Sequence, residues 1–324
     1  MANIHPLITN DRRIMTAEAA ALPGKTARKP PPAQKSPLAR KLPWNDKAGR
    51  FSPLKAITVA LMPLPALYLA YAAVFIGLGP RPLTEALHFI GRWTIWFLLI
   101  TLAITPARRL FDLPKLIQIR RIIGLTALYY ILLHFSLFIV DSGFNLVFVG
   151  SEIALRIYLT LGFTAILSLV ALGVTSTDGM VRRMGATAWN RLHRIIYVTG
   201  FLGFLHYYMQ AKADVTEPVL YSGLFFWLIG YRIMAKLGWK QGFVPLLVLS
   251  VSAALITALA EAGWYQAMRP GIGVRVLLAN LDFAIQIRPA WWVLASGLLV
   301  TFSVEIWRRI GNVRVPRPAR TARA

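Results

Sequence analysis

Two histidines, His134 and His206, stand inside long apolar runs, "RRIIGLTALYYILLHFSLFIV" (120–140) and "NRLHRIIYVTGFLGFLHYYMQ" (190–210). An imidazole in lipid must find a partner, either a neighbouring helix or a metal. The chain has no cysteine, which removes thiolate ligands, iron–sulfur clusters and covalent C-x-x-C-H haem attachment and leaves histidine as the obvious transition-metal ligand. His134 and His206 each lie 13 residues beyond the inner start of their run, at Arg121 and His193. That is about 20 Å along a helix at 1.5 Å per residue. Two histidines at equal depth on parallel helices can clamp one flat macrocycle. Neutral imidazole suits iron, and closing both axial positions favours electron transfer over oxygen binding, so a bis-histidine haem b is expected, with His134 and His206 as metal ligands. Hydrogen bonding to a neighbouring helix is the alternative for each.

The other candidates are less specific. His193 lies roughly 140° around an ideal helix from His206, and the position level with it on the other helix is Arg120 or Arg121. These two helices alone therefore do not build a second bis-histidine site. His193 is expected either to bind a second cofactor or a phosphate-bearing flavin near the inner face, or to make interfacial hydrogen bonds. His88, in "TEALHFIGRW", reads as a replacement ligand or propionate partner, or as an interfacial residue beside Trp93. Arg92 is the better propionate candidate, because guanidinium pairs with carboxylates bidentately. Gly203, one turn before His206, would let a porphyrin approach its helix or let two helices pack closely. His5 carries no assignment.

Positioning these residues takes membrane helices. Apolar runs long enough to cross a hydrocarbon layer of about 30 Å fall near 56–79, 86–105, 122–142, 154–174, 193–211, 217–238, 243–263 and 289–308. Eight helices are expected, the first bent at Pro63 and Pro65. Basic residues mark every second connection: 11 up to Lys55, then Arg108, Arg109, Lys115, Arg120 and Arg121, then Arg182, Arg183, Arg191 and Arg194, then Lys236 and Lys240, then the tail from Arg308. The opposite loops are acidic ("DSGFNLVFVGSE") or mixed ("KADVTEP"), and only 264–288, with Arg269, Arg275 and Arg288, blurs the pattern. The positive-inside rule then puts both termini in the cytoplasm.

With 56% hydrophobic and 15% charged residues over 324 positions, the chain is an integral membrane protein in contact with the lipid bilayer. The net charge of +23 orients it rather than binding nucleic acid. No G-x-G-x-x-G fingerprint, Walker A loop or internal repeat is present. The first 50 residues are polar, basic and proline-rich, with no apolar signal segment. The expected organisation is a basic, disordered cytoplasmic arm (1–54), a haem-binding transmembrane core (55–240), two additional transmembrane helices (241–308) and a basic cytoplasmic tail (309–324). A histidine-lined transporter or proton-coupled carrier without haem is the rival reading; the near absence of Asp and Glu from the spans speaks against it.

Several segments, in order, carry a resemblance: "GRWTIWFLLITLAITP", "RRIIGLTALYYILLH", "YLTLG" and "TSTDGMVRRMGATAWNRLHRIIYVTGFLGFLHYY". Together, over about 55–235, they resemble the MsrQ family (formerly YedZ) of haem-binding membrane subunits of bacterial protein-methionine-sulfoxide reductase systems. That family lies within the ferric-reductase-like transmembrane superfamily, with NADPH oxidases as distant relatives. The resemblance implies a six-helix ferric-reductase-like bundle, here followed by two C-terminal helices. It also implies b-type haem and FMN, passing electrons from the quinone pool or a cytoplasmic flavin reductase to MsrP, a periplasmic molybdopterin subunit that reduces methionine sulfoxide in oxidised proteins. The substrate-reducing site is then expected on that partner, and this chain is its electron-transfer subunit in the bacterial inner membrane. The family's haem histidines match His134 and His206, and a third functional histidine matches His193. The fourth histidine of the two-haem NADPH oxidase pattern falls on Arg120, and the resemblance does not extend to the oxidases' cytoplasmic flavin and nucleotide domains. The long arm and the helices at 243–308 depart from the compact core; stabilisation or partner docking is their expected use.

Overall fold

A computed structural model describes residues 42–46, 48–212, 214–284 and 286–313, the last three by backbone alone. The described chain is all-helical: α1 (Pro53–Leu61), α2 (Leu64–Tyr71), α3 (Pro82–Leu110), α4 (Ile117–Asp141), α5 (Leu146–Leu155), α6 (Ile157–Val174) and α7 (Asp178–Met184). There follow α8 (Ala186–His193), α9 (Ile195–Ala211), α10 (Thr216–Lys236), α11 (Phe243–Met268), α12 (Gly273–Leu278) and α13 (Pro289–Val313). Among the described residues, 7 helical segments are long and apolar enough to cross a membrane. Each predicted run falls on a helix. The run at 193–211 forms α9, whose 17 residues span about 25 Å and stop just short of the others.

The first span breaks where the prolines demand it. Pro63 and Pro65 lack the N–H that would continue the ladder, and α1 ends at Leu61 before α2 resumes at Leu64. The Tyr130 hydroxyl from α4 fills the gap, accepting from the Ala66 N–H at 3.1 Å and donating to the Met62 carbonyl at 2.8 Å. Two peptide groups that lipid cannot solvate are thereby satisfied. After a wide π-helical turn at Ala72–Ile76, the chain reverses through Gly77 and Gly79, both at positive φ (87° and 80°).

Packing sorts the long helices into two groups. α3 lies along α4 and α6 along α9, and an α4–α6 contact joins the pairs into a four-helix cluster. α10 packs on α3 and α9 on one side and on α11 and α13 on the other, which makes it the most enclosed span. Polar contacts knit the second group: Trp227 donates to Ser250 at 3.1 Å, and Ser250 lies 3.5 Å from the Thr301 hydroxyl. Gly297 permits this approach, since a Cβ there would sit 2.5 Å from the Ser250 hydroxyl. Close backbones joined by small and hydroxylated residues are the usual membrane solution, because lipid tails supply no hydrophobic drive between helices.

Three loops differ from expectation. The outer stretch read as an acidic loop contains α5, started by Asn145, whose side chain accepts from the Phe148 N–H at 2.9 Å. The inner 178–193 loop is folded into α7 and α8, and the 264–288 loop contains α12. The end of the predicted arm is also ordered: Asp46 accepts from the Ala48 and Arg50 N–H groups and the Arg50 guanidinium, and Lys55 donates to the Asn45 carbonyl at 2.8 Å. Positions 1–41 of the arm, His5 included, and 314–324 of the tail lie outside the described residues.

Candidate functional site: a two-histidine cavity

His134 on α4 and His206 on α9 face each other with ring centroids 6.5 Å apart and planes at 90°. Each ring is fixed by its Nδ1: His134 to the Leu87 carbonyl at 2.9 Å, His206 to the Tyr158 carbonyl at 2.8 Å. A carbonyl can only accept, so Nδ1 of each carries the proton and Nε2 of each keeps a free lone pair. A hydrogen bond from the far nitrogen to a backbone carbonyl is the support that metal-ligating histidines almost always have.

The spacing tests the expected group. Imidazole nitrogens bind transition metals at about 2.0–2.1 Å, so two imidazoles sharing one metal from opposite sides hold their centroids roughly 6.3 Å apart. The observed separation agrees. Among the described residues no group of three or more His, Asp or Glu is placed to hold a metal, so a bare ion lacks a ligand set, whereas a porphyrin brings four nitrogens of its own. The two histidines open on a cavity of about 560 Å³ with apolar walls including Ile95, Leu98, Phe135, Phe163 and Leu169. These residues fit a bis-histidine haem.

Two glycines set the rings in place. A Cβ at Gly162 would lie 2.8 Å from His206 Nδ1, and one at Gly91 would lie 3.1 Å from His134 Nδ1. α3 and α6 must be bare at these points for each imidazole to reach the carbonyl one turn earlier. Gly203, by contrast, lines the cavity with nothing within 4 Å of where its Cβ would stand. That is open space for a flat ligand rather than a helix contact.

His88 and Arg92, one turn apart on α3, line the same cavity. Arg92 donates to Glu217 at 3.2 Å, and Tyr207 donates to the other oxygen of the same carboxylate. Asp214, outside the spans and also at the cavity, is held below the ordinary carboxyl range, first by its hydrogen bonds with Thr216 and more weakly by Arg288, against the cost of burial.

His193 is placed elsewhere. It ends α8, stacks on Trp189 at 3.7 Å, and bonds through Nδ1 to the Trp189 carbonyl at 3.1 Å and through Nε2 to the Ser176 hydroxyl at 3.3 Å. Of the six residues singled out, His88, Arg92, His134, Gly203 and His206 share the cavity and His193 does not. Sequence reading missed Gly91, Gly162, Tyr207 and Glu217. Both glycines did stand inside segments that carried the resemblance, "GRWTIW" and "YLTLG".

Residues 90–205 match the family model described as ferric reductase like transmembrane component. A heme-binding subunit MsrQ of protein-methionine-sulfoxide reductase from Rhodospirillum rubrum is 40% identical over 192 residues, covering 58% of this chain and 89% of the relative. The chain belongs to the MsrQ family. The MsrQ of Caulobacter vibrioides is 38% identical over 170 residues (52% of this chain, 81% of the relative). That of Xanthomonas campestris pv. campestris is 42% identical over 166 (51% and 76%). No solved structure gives a significant match. Membership in MsrQ and the long apolar helices make the chain a multi-pass protein of the bacterial inner membrane.

Proposed function

We propose that this protein is a membrane b-type cytochrome subunit that carries electrons to a periplasmic methionine sulfoxide reductase of the MsrP type, which repairs oxidised proteins. The observation that carries the reading is the pair of Nε2 lone pairs, His134 and His206, held at the spacing of two axial ligands. Haem held by His134 and His206 would supply a one-electron carrier. The chain holds it without covalent attachment. The Leu87 and Tyr158 carbonyls fix the ligating tautomers and raise imidazole basicity. Arg92 is the partner for a propionate, displacing or sharing Glu217. His88 lines the same wall as a second polar contact. The substrate-reducing site belongs to the partner, so this chain itself is an electron-transfer subunit.

The proposed arrangement has eight spans, α9 included, with both termini cytoplasmic and the cavity in the outer half, toward the partner. Residues 55–240 form the haem-binding core and 241–308 the added pair of helices. FMN, implied by kinship, suits the inner side, where Arg120 and Arg121 stand near His193 and a phosphate would be favoured. The donor is quinol from the membrane or a cytoplasmic flavin reductase.

The deciding experiment is a pyridine haemochrome assay with iron-to-protein stoichiometry on purified wild type, His134→Ala and His206→Ala. Wild type should carry a low-spin b-type spectrum that each variant lacks while still inserting. A normal low-spin spectrum in either variant removes that residue as a ligand, and a wild type without a Soret band leaves the carrier reading.

A further inference from the structure

Arginines from three helices converge at the end of the bundle read above as cytoplasmic. Tyr231 of α10 is fully buried and donates to Gln241 Oε1 at 2.5 Å. Arg109 of α3, Arg232 of α10 and Arg308 of α13 all lie within electrostatic reach of its phenol. The ends of α3 and α13 also meet directly, with the Phe111 and Trp307 rings edge to face at 6.2 Å. Arg232 is committed to the protein: it donates to the Leu228 and Leu102 carbonyls and lies over the Tyr197 ring. Arg308 gives one nitrogen to the Gln241 carbonyl at 2.8 Å and keeps its other donors open. Arg109 makes no hydrogen bond among the described residues, and none of the three arginines is in an ion pair there; the nearby Glu305 is taken by Arg309. Arg108, at the same helix end, has a buried Nε with no acceptor, so the end of α3 is short of acceptors.

The carbonyl end of a helix offsets part of this charge. Three guanidiniums around one phenol still repel one another, and two of them have donors to spare. A guanidinium meets a phosphate with two parallel hydrogen bonds, and a basic pocket between spans on the cytoplasmic side suits the head group of an anionic lipid. Trp307, half exposed, is the kind of ring that settles at head-group level. Beside it α13 turns Phe302, Ile306 and Ile310 outward, an apolar stripe against which acyl chains can lie. A soluble phosphate would leave that stripe unused. We propose that Arg109 and Arg308 hold the phosphodiester of an anionic phospholipid in the seam between α3 and α13. α13 lies beyond the residues 90–205 that match the family model, so the added helices create the site. The lipid ties them to the core through α3, the helix that carries His88 and Arg92.

Full-length protein, purified in detergent and stripped of lipid, should bind dioleoyl phosphatidylglycerol saturably in native mass spectrometry and melt at a higher temperature with it. Dioleoyl phosphatidylcholine should do neither. Arg109→Gln combined with Arg308→Gln should weaken the affinity for phosphatidylglycerol by about tenfold or more. Arg182→Gln combined with Arg183→Gln removes the same charge from exposed positions on α7 and should change it by no more than about twofold. Because Arg308 also braces Gln241, Arg109→Gln is measured alone as well. It removes no contact within the described protein, so the lipid-free melting temperature should hold while the affinity falls by about threefold. Equal affinity for the two lipids, equal weakening in the two double variants, or unchanged affinity in Arg109→Gln overturns the proposal. Stabilisation by inorganic phosphate equal to that by phosphatidylglycerol also overturns it and gives the arginines to a soluble anion.

Discussion

Perpendicular imidazole planes have a spectroscopic consequence at the scale of the residue. Crossed ligand planes leave two iron orbitals nearly degenerate, so the ferric, low-spin state should give a strongly anisotropic electron paramagnetic resonance signal with a large maximal g value. Parallel rings would give an ordinary rhombic signal instead, which frozen-solution spectra distinguish directly. Gly162→Ala tests how the planes are held: its methyl would meet His206 at 2.8 Å, forcing the ring off the Tyr158 carbonyl. Overpacking of this kind costs about 1–3 kcal/mol, and part of the haem should become high-spin or be lost. Gly91→Ala, at 3.1 Å from His134, should do the same more mildly. The histidines were legible in the sequence because lipid makes an imidazole conspicuous and helical rise fixes its depth. The glycines were not, because what they avoid is a ring on another helix, and no spacing within one helix reports that.

At the scale of the element, helix existence followed from apolar length, and the break in the first span followed from two prolines. What fills that break did not, since Tyr130 sits 64 positions from Ala66. α5, α7, α8 and α12 are not legible as helices in the sequence, because each is too short to carry a clear period. Which helices meet is likewise a matter of small residues opposite one another. Gly297→Leu should lower the thermal stability in detergent markedly, because its side chain would drive into Ser250 and Trp227 and part α13 from α11. Ser250→Ala, which adds no bulk but leaves the buried Trp227 N–H without its acceptor, should cost about 1–3 kcal/mol. Melting curves of the two variants side by side measure the difference between steric and polar contributions to this group.

For the whole molecule, charge asymmetry in the sequence supplies an orientation that the fold by itself does not. Reporter fusions should place both termini in the cytoplasm, and cysteines introduced into α5 should react with a membrane-impermeant maleimide from the periplasm. Labelling of α5 only after the membrane is opened would invert the topology and point the cavity the wrong way for a periplasmic acceptor. The added helices were visible as two apolar runs. Their packing was not, because α11 and α13 meet each other and α10 through small and hydroxylated residues on three different helices.

The phenol of Tyr130, set between Met62 and Ala66, bears on how the protein is made. The first span leaves the ribosome well before α4, so it enters the bilayer with a gap in its ladder and nothing nearby to close it. Its docking must wait for a later arrival, and biogenesis acquires a checkpoint: the amino-terminal span settles only after the helix that carries His134 has been threaded alongside.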